Sequence, residues 1–154
     1  MSRFITGLFA FTLISSLVLA TAWLTRHSWL THAAAHQATS AALKQLGLSP
    51  LAAQRADLLK IVSHAKLHNS QTQRYQILGR LYNPLAVPLQ NPNIQLLQID
   101  RDNKVLSTQT FSAAQWQLKE SNNTFIEATE LLDFKLELSQ WPENSWGYQL
   151  QLQD

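Results

Sequence analysis

Residues 131–138 read Leu131-Leu132-Asp133-Phe134-Lys135-Leu136-Glu137-Leu138. Leu132, Phe134, Leu136 and Leu138 alternate with polar or charged neighbours, the period of a strand that buries one face. Trp141-Pro142-Glu143-Asn144 follows as a turn, and Tyr148, Leu150 and Leu152 repeat the alternation in a closing strand. Upstream, residues 124–127 form a short strand, and residues 115–123 a polar loop around a buried Trp116. Residues 93–100 and 104–111 are two strands joined by a tight turn at Arg101-Asp102-Asn103, where asparagine tolerates positive φ. Ile94, Leu96 and Gln98 fall on one face, Leu97 and Ile99 on the other. Asn83-Pro84 ends the strand upstream of these, and Pro88, Asn91 and Pro92 keep the next stretch extended and unpaired.

Residues 74–83 are apolar on both rows, as in a central strand. His68-Asn69-Ser70-Gln71 reads as a turn, and residues 58–68 fit a strand or a helix. Six or seven short antiparallel strands in about 95 residues predict an immunoglobulin-like antiparallel β-sandwich over 58–154. Two sheets bury both apolar rows, whereas one open sheet leaves a greasy face in water.

Before this domain the pattern is helical. The run from Phe4 through Leu24 carries no charge over twenty-one residues, about 30 Å of helix, which matches the hydrocarbon thickness of a bilayer. Arg3 precedes it, and Trp23, Arg26, His27 and Trp29 make an interface belt at its end. The charge bias favours a cytoplasmic N-terminus and an exported remainder. A cleaved signal peptide is the alternative: Ala20 and Ala22 have the small-residue spacing, and cleavage after Ala22 would release a soluble periplasmic protein. The alanine-rich stretch 25–48 predicts a helical stalk stopped at Gly47. Ser49-Pro50 then opens a short helix over 51–57. The expected organisation is therefore a transmembrane anchor over 1–24, a stalk over 25–57 and the β domain.

Composition narrows the function. Among 154 residues there is no cysteine, so disulfide scaffolds, thiolate metal sites and thiol nucleophiles are excluded. Twelve Lys and Arg against ten Asp and Glu give +2, too balanced for a nucleic-acid surface. Sixteen Gln and eight Asn supply polarity in place of charge, and four Gly leave no glycine-rich phosphate loop.

Leu46-Gly47, Leu59 to His64, Leu81-Tyr82-Asn83, Pro92 and the 94–100 strand occur in a telling order. Asn103-Lys104-Val105-Leu106, Thr110-Phe111, Trp116, Phe134-Lys135-Leu136 and Gly147-Tyr148-Gln149-Leu150 continue it. This succession resembles the C-terminal domain of a bacterial inner-membrane family catalogued as domain of unknown function 3426. The resemblance implies an exported domain behind one membrane span. It implies no catalytic residue, and the zinc ribbon typical of the family has no counterpart here.

Histidine is the one candidate for chemistry. His32 and His36 are spaced i,i+4 in the predicted stalk helix, so both imidazoles could share a metal on one face, or sense pH. His64 and His68 have the same spacing. On a strand they share a face but lie about 13 Å apart, too far to chelate. Neither pair has a carboxylate beside it to orient the rings, and solvated polar spacing is the plainer reading. Asp100 and Asp102 make a poor calcium cage and cap the hairpin instead. Ser63-His64 lacks the partners of a triad.

Of the five tryptophans, Trp116, Trp141 and Trp146 belong to the β domain. Trp141 and Trp146, with Tyr82 at the start of the proline-rich segment, are the candidate partner-binding residues. The expectation is a non-enzymatic envelope protein that touches lipid through its first helix. It binds an unidentified envelope protein through its β domain, with no cofactor and no small-molecule substrate. The alternatives are a histidine-based metal carrier or sensor and an accessory subunit of a membrane complex.

Overall fold

The computed structural model describes residues 2–69, 74–118 and 124–154, with side chains from residue 12 onward except that of Asn69. The chain divides into two compact units, Met1–Ala53 and Gln54–Asp154.

The first unit holds three helices: α1 (Ser2–Leu24), α2 (Arg26–Trp29) and α3 (Ala33–Gln45). The unbroken stalk expected over 25–48 is interrupted twice. Thr25 turns its hydroxyl back to the Thr21 carbonyl (2.9 Å), and Thr31 does the same to Ser28 (2.6 Å). His32 is extended (φ −87°, ψ 124°) and precedes α3 as its N-cap residue. Gly47 stops α3 as expected, with φ +70°. The Leu48 N–H donates to Leu43 and the Gly47 N–H to Lys44, the paired bonds of a Schellman cap. Among the described residues no helix is long and apolar enough to cross a membrane. The side chains of residues 4–11, part of the run read as a span, lie outside them.

The second unit is mainly β, built of antiparallel sheets. In place of the helix expected over 51–57 there is one 3-10 turn, Ala56–Leu58. Arg55, outside the helical region (φ −146°, ψ 73°), clasps Asp57 through two 2.8 Å bonds, while the Ala56 N–H is taken by the Asp154 carboxylate (2.6 Å). The segment open between helix and strand is a strand, β1 (Lys60–Asn69). His68 and Asn69 therefore extend the strand, and the rest of the turn expected at 68–71 lies outside the described residues.

The other strands are β2 (Arg74–Tyr82), β3 (Leu89–Gln90), β4 (Asn93–Ile99), β5 (Val105–Phe111), β6 (Phe125–Ile126), β7 (Leu131–Leu138) and β8 (Gly147–Gln153). They form two three-stranded sheets, β1-β2-β7 and β5-β4-β8, and the small pair β3-β6.

The apolar rows read from the alternation are the buried ones. Ile77 and Leu81 of β2 and Phe134, Leu136 and Leu138 of β7 are buried, as are Ile94 and Leu96 of β4. Gly79 faces Phe134 across the β2–β7 ladder, where the phenyl ring fills the space of a side chain. The β4–β5 hairpin closes on Asn103 (φ 61°), and the Asp100 carboxylate accepts the Asp102 and Lys104 N–H groups (both 2.9 Å).

Trp116 is fully buried in a one-turn helix, α4 (Ala113–Trp116), not in an irregular loop. Ser112 and Gln115 form a capping box around that turn. The Trp116 indole N–H donates to Pro92 O (2.9 Å), which gives the buried donor its acceptor. The part of the expected loop at 119–123 lies outside the described residues.

Candidate functional site

The inner row of β1 is the exception to the burial pattern. Register puts Ile61, His64, Lys66 and His68 opposite Leu81, Gly79, Ile77 and Tyr75 of β2, on the face that β2 and β7 bury. Yet His64, Lys66 and His68 are exposed. A bulge between Ile61 and Ser63 shifts the register and brings His64, in place of Ser63, onto this face.

An aromatic chain borders this row. The His68 ring stacks on Tyr75 with centroids 4.5 Å apart, and Tyr75 lies 5.5 Å from Trp141. Trp141 meets Tyr148 edge-to-face at 5.8 Å, and Tyr148 meets His64 at 5.2 Å. The Lys66 ammonium sits 4.1 Å from the Trp141 ring centroid, a cation–π distance. Nδ1 of His64 and the Tyr148 hydroxyl are 2.8 Å apart, so the edge strands of the two large sheets are joined here. Partial burial raises the Tyr148 phenol above its ordinary pKa, because the phenolate loses solvation.

Two buried polar groups adjoin the same tyrosine. Gln98, its cross-strand partner in β4, is 1% exposed, and among the described residues neither its amide oxygen nor its nitrogen has a hydrogen-bond partner. The Trp141 indole N–H is likewise buried and without a partner among the described residues.

The candidate residues are thus not one patch. Trp141 belongs to the aromatic chain. Trp146, at the other end of the β7–β8 connection, is 69% exposed, with the Arg101 guanidinium 4.9 Å from its ring centroid. Tyr82 closes β2, paired with Lys60 and Leu131 on its two sides.

The segment after Tyr82 is not an open edge. Leu89 and Gln90 pair with Ile126 and Phe125. The buried Asn83 amide donates to the Val87 (2.8 Å), Ile126 (3.2 Å) and Glu127 (2.9 Å) carbonyls, and its oxygen accepts the Leu85 N–H (3.0 Å). Asparagine satisfies backbone groups that the prolines leave without ladder partners.

His32 and His36 are not two residues of one regular helix, because His32 is the extended residue that precedes α3. The His36 ring nitrogen Nε2 lies 3.5 Å from the Ser40 hydroxyl. Among the described residues no group of three or more His, Asp or Glu is placed to hold a metal ion.

Sequence reasoning placed His64 and His68 on one strand face but missed Lys66, Tyr75 and Tyr148 as their companions. The alternation of β1 carried part of that signal. The pairing with β2 and the approach of β8 did not show in it. A groove of about 510 Å³ beside the first sheet is lined by His64, Ala65, Leu78, Arg80, Leu118 and Asp133 among others, and His64 also belongs to the aromatic chain.

The comparisons with known proteins come down to one family. Its model, described as a protein of unknown function (DUF3426), matches residues 56–152. The chain belongs to this family. No curated protein and no solved structure matches it. The match begins at the 3-10 turn and ends in β8, so it covers both large sheets and the aromatic chain of this DUF3426 domain.

Proposed function

We propose that the chain is a single-pass protein of the bacterial inner membrane, with a cytoplasmic N-terminus. Its β unit is then an exported, immunoglobulin-like sandwich that docks another envelope protein and performs no catalysis. One observation carries the docking role: the inner row His64, Lys66, His68 is uncovered beside Tyr75, Trp141 and Tyr148. A face that should lie inside a sandwich is open and bordered by Tyr75, Trp141 and Tyr148, and Tyr and Trp are enriched at protein-binding surfaces.

Sheet order supports the immunoglobulin-like reading. β1-β2-β7 takes the places of strands A, B and E, and β5-β4-β8 those of C′, C and F. Anchoring is supported by α1, a continuous helix of 23 residues. Its described part exposes Leu13, Ile14, Leu17, Val18, Leu19 and Leu24, a surface that asks for an apolar cover. The belt at its end is ordered: the Trp29 indole N–H donates to Ala22 O (3.0 Å), and the Arg26 guanidinium lies 4.3 Å from the Trp23 ring centroid.

Alkaline carbonate extraction of native membranes, with protease protection of a C-terminal tag, tests the reading. The intact chain should stay in the pellet, and the tag should be cut only from the periplasmic side. Release into the supernatant, or a tag exposed to the cytosol, would defeat it. A mature chain beginning at Trp23 would favour the secreted alternative.

A further inference from the structure

We propose that the free edge of β8 is a strand-addition site for an extended, acidic segment of a partner protein, laid beside the exposed row of β1. The inference rests on the docking role above and names where and by what chemistry the partner is held. Among the described residues β8 pairs only with β4, so its other backbone edge is open. It is tied at its two ends alone, by side chains: Tyr148 meets His64, and Asp154, just past the strand, accepts the Ala56 N–H.

The edges differ in how they resist pairing. β1 carries Lys60, Lys66 and a bulge, and β7 carries Asp133, Lys135 and Glu137, devices that keep strangers away. β5 meets β4 with a register shift near its start. β8 reads Gly147-Tyr148-Gln149-Leu150-Gln151-Leu152-Gln153, with no charge, no proline and no shift against β4. It is the edge most open to main-chain hydrogen bonds from another chain.

The same place is where the second sheet falls one strand short. Contacts run from Ala56 with Asp154 to His64 with Tyr148, so β1 lies alongside β8 in the opposite sense. A strand laid along β8 and continued past Gly147 passes His64, then Lys66, then His68. Alternate side chains of that strand face this row.

The chemistry of the row sets the partner. The Lys66 ammonium is held against Trp141, and among the described residues the hydrogen bonds and ring contacts of the row involve no carboxylate. Carboxylates at alternate positions complement it. A second copy of β8 fits less well, since it brings Tyr148, Leu150 and Leu152 or three glutamines and no carboxylate between residues 147 and 153.

The test uses the full chain in detergent micelles. Alternating valine–glutamate and valine–lysine peptides of about nine residues, roughly 30 Å when extended, are added separately. Backbone amide exchange over 147–153 and Trp141 fluorescence are read. The acidic peptide should slow exchange in β8 and bind about tenfold tighter than the basic one at low salt, with the gap shrinking as salt rises. Lys66→Glu, an exposed change whose folding is checked by circular dichroism, should reverse the preference. Absence of protection with either peptide would overturn the proposal. So would equal protection by both, or protection that follows protein concentration without peptide and marks a second copy. These results leave the membrane reading standing, whereas carbonate extraction tests that reading without touching this one.

Discussion

Nδ1 of His64 and the hydroxyl of Tyr148 lie 2.8 Å apart and join the edge strands of two different sheets. The phenol is partly buried, and burial raises its pKa above the ordinary 10.0. A group raised on folding contributes stability below its unfolded pKa and loses it as pH climbs through the folded value. The denaturation midpoint should therefore fall more steeply above about pH 10 in the native chain than in Tyr148→Phe. Below that range the variant should be the less stable by about 0.5–1.5 kcal/mol, the size of one hydrogen bond. Urea titrations at pH 8 to 11 check both statements.

Gly79→Ala should destabilise the β unit by about 1–3 kcal/mol through overpacking. A Cβ there would meet Phe134 Cε1 at 2.6 Å and the backbone oxygen of Ser63 at 2.7 Å. The ring can tilt, but the Ser63 carbonyl belongs to the neighbouring strand and cannot yield cheaply. Gly79→Ala combined with Phe134→Leu should recover part of the loss, read as the shift in thermal midpoint.

Asn83→Ala should cost about 2–4 kcal/mol, because it strips a donor from three carbonyls in a buried turn. Asn83→Asp should be at least as harmful, since a carboxylate would face those same oxygens. Amide exchange at Leu85 should speed up in the alanine variant, where its acceptor is gone.

Gln98→Leu should raise stability by about 1 kcal/mol, as it removes a buried amide whose two polar atoms have no partner among the described residues. Chemical denaturation of the full chain measures it.

The strands were legible where alternation is strict. Leu132, Phe134, Leu136 and Leu138 on β7 and Ile94 and Leu96 on β4 announce a buried row, since a period of two puts every second side chain on one face. Asn103 and Gly47 were legible as turn and stop because each position needs a positive φ that few residues tolerate. The break before α3 was not, because the alanine propensity around it speaks for helix, whereas His32 is extended. Asn83 was misread as the start of an open edge, since nothing in Tyr82-Asn83-Pro84 tells that one amide will serve carbonyls more than forty residues away.

Local residue order was enough to determine the antiparallel strands, the turn residues, the family and the uncharged helix at the start. Those features depend on neighbours within a few positions, and side-chain periodicity reports them directly. Tertiary structure alone decided the site. Trp141 becomes part of an aromatic chain only when β1, β2 and β8 come together. The row His64, Lys66, His68 stays exposed although it shares the face that β2 and β7 bury. Which strand stands beside which is set by the balance of burial over the whole core, and no short window of sequence contains that balance.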